Sequence, residues 1–239
     1  MSTQRQLDHR QSLPSNIPID QDKLKSILDV IQSKVTVDSS ILNARNSMRE
    51  FNEYIGGEPN APHHIVLCDA LDSGEDVIGT LPRNSAKTTI GSTRYPAYRL
   101  GHDRGERIIL CACTATLAES FSRSIEAIMS LEKYRILFGE LIPTAKSSVW
   151  NNQEKIVSNR PEYNHYGIRV DEKDASLYAV GVGGSVVGRR ADILVLDDII
   201  DRRTVKTESQ LADIRQWYNE ELKGVRHSHT QMILLGTRW

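Results

Sequence analysis

Apolar residues along this chain change their spacing near position 75. Before it they recur every three or four residues; after it they gather in short continuous runs separated by amphipathic stretches. Leu24, Ile27, Leu28 and Ile31 share one helical face, with Asp20 placed to cap its start. Ile41, Ala44, Met48, Phe51 and Ile55 predict a second helix closed by Gly56-Gly57. Pro62 followed by Ile65, Cys68 and Leu71 predicts a third, ending near Gly74. Beyond it, strands are predicted at 75–81, 106–113, 176–182, 192–197 and 231–236, and helices at 87–95, 116–131 and 207–223. Strands separated by helices predict an α/β fold with a doubly wound, mainly parallel sheet, preceded by an N-terminal helical appendage. The expected division is 1–56 for a polar arm (1–19) and its helical lead, and 57–239 for the sheet domain. Residues 139–175, polar and interrupted by Pro143 and Pro161, predict excursions from the sheet, with a hairpin as one option.

Composition narrows the class. Of 239 residues, 39% are hydrophobic and 26% charged, which excludes a disordered chain and supports one sizeable core. No apolar run approaches membrane-spanning length, and Met1-Ser2-Thr3-Gln4-Arg5 has no apolar signal region, so a soluble intracellular domain is expected. Cys68, Cys111 and Cys113 do not make a disulfide framework, and buried thiols in a reducing compartment are expected. His63 and His64 are adjacent rather than spaced for metal.

The segment Leu81-Pro82-Arg83-Asn84-Ser85-Ala86-Lys87-Thr88-Thr89 carries the most specific chemistry. It follows a short apolar strand and leads into a helix start. A tight loop there surrounds a triphosphate with backbone N–H groups; the lysine neutralises the outer phosphates and the next hydroxyl ligates magnesium. The usual loop glycines are replaced by Leu81 and Ala86, so Lys-Thr alone also fits an ordinary surface loop. The second signal is Ala191-Asp192-Ile193-Leu194-Val195-Leu196-Asp197-Asp198, an apolar strand ending in two carboxylates. Its lack of polar alternation marks a central parallel strand, whose carboxyl end lies at the ligand-binding edge of such sheets. A helix cap accounts for one of the aspartates but not for the pair behind an apolar strand. A third run, Gln231–Leu235, ends in Gly236-Thr237-Arg238-Trp239 and brings a hydroxyl to the same edge.

In this order the motifs resemble those of tailed-phage terminase large subunits. The Pro-Arg-x-x-x-Lys-Thr loop, the run Gly183-Gly184-Ser185-Val186-Val187-Gly188-Arg189-Arg190 leading into the acidic strand, and the closing Leu-Leu-Gly-Thr-Arg-Trp carry the likeness, which covers roughly His63 to Trp239. The resemblance implies the N-terminal ATPase domain of a P-loop motor that drives double-stranded DNA into a procapsid. It implies ATP and Mg2+ as cofactors. Its implied partners are double-stranded DNA, a portal protein, a small terminase subunit and further copies in a ring, in the cytoplasm of an infected bacterial host. Full-length members add an RNase H-like nuclease domain; no acidic cluster of that kind follows here, so DNA cleavage is not expected.

Roles follow residue by residue. Pro82, Arg83, Asn84, Ser85, Ala86, Lys87, Thr88 and Thr89 are the expected nucleotide cradle. Thr88 and Asp197 are the expected magnesium holders, and Asp198 the residue that polarises the attacking water. Arg83 is a candidate for stabilising charge on the γ-phosphate, with a loop salt bridge as the alternative, and Thr237 a candidate beside that phosphate. Asp201 and Glu208 are spare carboxylates; Arg189 and Arg190 are candidates for phosphate, subunit or DNA contact; Phe51, Tyr54 and His64 are candidates for the adenine. The alternative function is a truncated or degenerate P-loop assembly module that docks to a portal or partner subunit without turnover. A near-neutral formal charge of −1 argues for a local basic patch, or for DNA affinity created by ring assembly, rather than a basic domain.

Overall fold

Two clusters of buried side chains lie on opposite faces of one six-stranded sheet, in a computed structural model that describes residues 25, 26, 28, 29, 39–145, 149–171, 174–200, 205 and 207–238. The strands are β1 (Val77–Leu81), β2 (Ile108–Ala112), β3 (Glu154–Lys155), β4 (Leu177–Gly181), β5 (Ala191–Asp197) and β6 (Arg226–Thr237). Their order is β1-β6-β5-β2-β4-β3, parallel throughout except for β3, which runs antiparallel to β4. The fold is therefore α/β with a mostly parallel mixed sheet and N-terminal helices. β2, β4 and β5 are buried along their whole length, the expected consequence of apolar runs without polar alternation.

Alternate residues face opposite cores. Ile108, Leu110, Ile193, Val195, Ile233 and Leu235 pack on one side, against Phe51, Leu71, Ile90, Leu100 and Ile125. Ile109, Cys111, Leu194, Leu196 and Val180 pack on the other, against Trp217, Leu222 and Val225. The helices of the first face are α1 (Met48–Gly56), α2 (Pro62–Asp72), α3 (Tyr95–His102), α4 (Ala115–Met129) and α5 (Glu132–Phe138); α6 (Glu208–Glu220) covers the second. The strand order moves one way from β1 to β4 and back from β5 to β6, so right-handed crossovers must use opposite faces. Trp217 fixes α6 by donating its indole N–H to the Gly184 carbonyl at 2.9 Å.

Several boundaries differ from the sequence-based expectation. The helix predicted from Ile41 to Ile55 breaks at Ser47, an extended residue, because the Met48 N–H bonds the Asp72 carboxylate at 2.9 Å and restarts the helix there. Its predicted closure holds, with Gly57 left-handed at φ 77. The helix predicted over 87–95 continues to His102. A π-helical turn at Thr89–Arg94, whose last bond runs from the Tyr95 N–H to the Ile90 carbonyl, precedes α3, and Pro96, which has no N–H to donate, follows directly where the bonding pattern changes. Helix α5 was not expected; Tyr134 anchors it by donating to the Ala97 carbonyl at 2.7 Å, within an aromatic cluster with Phe51, Tyr98 and Phe138. The 139–175 excursion contains the short strand β3 and antiparallel bridges Trp150–Lys155 and Tyr163–Arg169. Residues 1–39 separate from 40–239 as a second unit, in which Lys25, Ser26, Leu28 and Asp29 are helical; the rest of that predicted helix and the polar arm lie outside the described residues. Among the described residues, no helix is long and apolar enough to cross a membrane.

At the amino edge of the sheet, the Arg107 guanidinium donates to Asp192 at 2.9 and 2.8 Å, and both side chains are buried. Burial pushes the Asp192 carboxyl up, but the bonds from Arg107 outweigh it and hold its pKa below the usual carboxylate range. Asp192→Ala leaves the buried guanidinium only the longer pairing with Asp174 at 3.5 Å, and should cost about 3–5 kcal/mol in urea unfolding at neutral pH. A depressed carboxylate pKa contributes stability above its unfolded value and loses it on acidification. The wild-type advantage over Asp192→Asn should therefore shrink as pH falls below about 4. A variant as stable as wild type would show that the pair is not needed.

Candidate functional site

The parallel register sets the carboxyl ends of four strands side by side: Leu81 opposite Thr237, Asp197 opposite Leu235, and Ala112 opposite Asp197. The loop after β1 closes over this edge and lines a cavity of about 390 Å³. All eight residues from Pro82 to Thr89 line it, with Asp198 and Thr237 opposite.

The loop turns sharply without glycine. Asn84 and Ala86 have φ of 62° and 58°, the left-handed region that costs a non-glycine residue roughly 1–2 kcal/mol. Ala86 thus holds the conformation for which glycine was expected. Its carbonyl accepts from the Ile90 N–H at 2.9 Å and so opens the helix. The N–H groups of the first helical turn, Lys87 to Thr89, lack partners within the helix and give that end partial positive charge. Ser85 is buried, and its Oγ has no hydrogen-bond partner. A phosphate oxygen would satisfy it.

Lys87 is the centre of the site. Its buried Nζ donates to Asp197 Oδ1 at 2.8 Å and Asp198 Oδ2 at 2.6 Å. Burial lowers the Lys87 pKa, but the two carboxylates more than offset this and the net direction is upward. Asp198 has φ of 44°, which turns the chain off the strand and lets its N–H bond the Leu235 carbonyl at 2.9 Å. Thr237 donates its hydroxyl to Asp198 Oδ2 at 2.8 Å. Two carboxylates against one ammonium leave a net negative charge. Beside the Thr88 hydroxyl, 3.5 Å from Lys87 Nζ, that is a donor set suited to a hard divalent cation such as Mg2+.

Ser92 was not found from the sequence. It is buried in the π-helical turn and donates to Asp197 Oδ2 at 2.8 Å. The i→i+5 bonding of that turn brings Ser92 to the side of the helix that Lys87 uses, a placement with no sequence signal. Cys113, Leu117 and Ile200 also line the cavity unexpectedly.

Other candidates lie elsewhere. Phe51 is in the core, and Tyr54 packs against Lys133. His64 braces the loop from behind: Nδ1 accepts from the Ala61 N–H at 3.2 Å and the ring bonds the backbone of Ser85, while burial, foremost, holds its pKa below the ordinary value. Arg189 stacks on Tyr178 with its guanidinium 3.5 Å from the ring centre and pairs with Glu154. Arg189 and Arg190 precede β5, whose seven extended residues put Arg190 roughly 25 Å from Asp198. Glu208 opens α6, where Thr207 and Gln210 form the cap. Asp201 lies outside the described residues. Arg83 is exposed at the cavity rim. Cys68 and Cys111 are buried as expected; burial pushes the Cys68 thiol up to about 12. A further cluster, Asp103, Glu106 and His165, has ligand atoms within 4.8 Å of one another. Its carboxylates are already engaged, Glu106 by Arg99 and Asp103 by His165.

No protein-family model matches the chain, and no curated protein matches it.

Replacing Ser92 by alanine leaves Asp197 Oδ2 buried without that donor. Thermal unfolding should show a loss of about 1–3 kcal/mol, with Ser92→Thr retaining most of the stability. Because the Lys87 pKa is raised, the cluster's contribution is complete below about pH 10 and falls as pH rises through the shifted value. Equal stability of wild type and Ser92→Ala would remove Ser92 from this network.

Proposed function

We propose that this chain is the ATP-hydrolysing domain of a DNA-packaging motor of the tailed-phage terminase large-subunit kind, with a doubly wound P-loop fold. The observation that carries the reading is the meeting of Lys87 with Asp197 and Asp198 at the strand ends, with Thr237 on Asp198. Three separate motifs of the sequence, ordered as in that family, supply these groups.

The geometry supports a definite division of labour. Loop N–H groups and Ser85 receive the phosphates, and Lys87 exchanges Asp198 for β- and γ-phosphate oxygens. Thr88 and Asp197, the latter steadied by the Ser92 hydroxyl, would hold Mg2+, which would supply positive charge to neutralise the phosphates. Asp198, released from Lys87 and still held by Thr237, orients a water for in-line attack. The water oxygen bonds the γ-phosphorus as the bond to the β–γ bridging oxygen breaks; ADP leaves with that electron pair, and Asp198 takes the water proton. Arg83, exposed at the rim, would stabilise charge on the γ-phosphate.

On this reading hydrolysis drives double-stranded DNA toward a portal protein in the host cytoplasm, with a small terminase subunit and a ring of copies. The near-neutral chain would be a weak ATPase without that assembly. A second reading, a nucleotide-binding or docking module without turnover, is favoured by Ala86 at a glycine conformation and by the double engagement of Lys87.

Two variants separate the readings. Calorimetric titration should show Mg-ATP binding by wild type and its loss in Lys87→Ala. Asp198→Asn should bind Mg-ATP but release phosphate at least about a hundredfold more slowly than wild type, the scale for losing a positioned base. Equal affinity in Lys87→Ala overturns the site, and wild-type binding without phosphate release favours the second reading.

A further inference from the structure

The amino edge of the sheet, opposite the phosphate loop, carries a cavity of about 780 Å³ with arginines in its wall. Arg190 enters from the residue before β5. Arg169 enters from a hairpin, in which the Val170 N–H bonds the Glu162 carbonyl and the Asn164 N–H bonds the Ile168 carbonyl, each at 2.9 Å. Both arginines are exposed, and among the described residues neither has an ion pair or a side-chain hydrogen bond. Arg160 is the third. Its Nη1 donates to the Asp174 carbonyl at 2.6 Å, while Nε and Nη2 are buried without an acceptor. Glu162 and Asp171 are the acids of the wall, so three arginines face two carboxylates and the cavity is net positive.

The tip of the same hairpin begins an aromatic stack. Asp103 accepts from the His165 N–H at 2.7 Å and lies 2.6 Å from its Nδ1, which fixes the tip. Tyr166 packs on His165 with ring centres 3.7 Å apart, and on His229 at 4.6 Å. His229 and His227 are two apart on β6 and share a face, their rings 5.7 Å apart and within 14° of parallel. His227 ends the stack, is exposed, and feels the charge of Arg190. Partial burial, foremost, and the Arg107 guanidinium hold its pKa below the ordinary value, so the ring is neutral near pH 7.

We propose that this edge binds a single strand of nucleic acid, its phosphates at Arg169 and Arg190 and an unpaired base stacked on His227. Single strands are held by cationic groups that follow the backbone and by rings on which bases stack. One hairpin joins both features here, with Arg169 at its base and His165 and Tyr166 at its tip. Arg190 joins them again, lining the cavity and acting on His227. A duplex offers phosphates but keeps its base faces stacked on neighbouring pairs, so it engages the arginines alone. The site lies beyond the opposite end of β5 from Asp198 and does not rest on the nucleotide reading.

Fluorescence anisotropy with a labelled oligo(dT) of about 15 nucleotides, its duplex with oligo(dA), and unlabelled polyphosphate as competitor tests the assignment. Wild type should bind the single strand more tightly than the duplex, and polyphosphate should compete only weakly. Arg169→Ala and Arg190→Ala should each reduce the slope of log affinity against log salt by about 0.7, the loss of one phosphate contact. His227→Ala should weaken the single strand about fivefold or more, leave the salt slope and the duplex unchanged, and be rescued by His227→Tyr. These side chains are exposed, so the thermal midpoints of the variants should match wild type. Wild-type affinity in His227→Ala overturns the stacking assignment, and an unchanged slope in both arginine variants overturns the phosphate assignment. Equal binding of strand and duplex, full competition by polyphosphate, or no binding of the strand by wild type overturns the proposal as a whole.

Discussion

A lysine ammonium held between two aspartates at the carboxyl edge of the sheet is the constraint on which the site depends. Lys87 belongs to the loop after β1, and Asp197 and Asp198 to the end of β5. β6 lies between those strands and contributes Thr237 to the same network. Taking the lysine and Asp197 out of water is costly, and only close pairing with added hydrogen bonds compensates. Ser92 and Thr237 provide those bonds. The loop is thus tied to the centre of the sheet by charge, while its backbone stays in a left-handed turn that its own residues disfavour.

The sheet makes this arrangement possible. β5 is buried on both faces, so its side chains become polar only where the strand runs out. Asp197 shares the face of Ile193 and Val195, the face on which the loop helix packs, and therefore points at Lys87 and Ser92. Asp198 escapes the alternation through its positive φ and reaches the cavity rim. At the other edge, the Arg107–Asp192 pair closes the opposite end of β5. The strand is thereby pinned by charge at both ends and by apolar packing between them.

Much of this was legible in the residues. Apolar runs without alternation announced β2, β4 and β5, and their punctuation located the loop and the acidic pair. The expected cradle of Pro82 to Thr89 lines one cavity with Asp198 and Thr237 because those positions close parallel strands of matched register. What was not legible depended on contacts distant in sequence. The break at Ser47 is set by Asp72, and α5 by aromatic packing around Phe51. Ser92 reaches Asp197 only through a π-helical turn, which local propensity does not encode. The adenine candidates Phe51 and Tyr54 failed to reach the cavity because the first is consumed by the core and the second packs against Lys133.

The proposed function requires Lys87 to trade a carboxylate for phosphate. A crystal structure of the chain with Mg2+ and a non-hydrolysable ATP analogue tests it most directly. The triphosphate is expected within the 82–89 loop, Lys87 Nζ moved from Asp198 onto phosphate oxygens, and Mg2+ beside Thr88 and Asp197. A Lys87 still bridging Asp197 and Asp198, with the nucleotide absent or bound elsewhere, would contradict it.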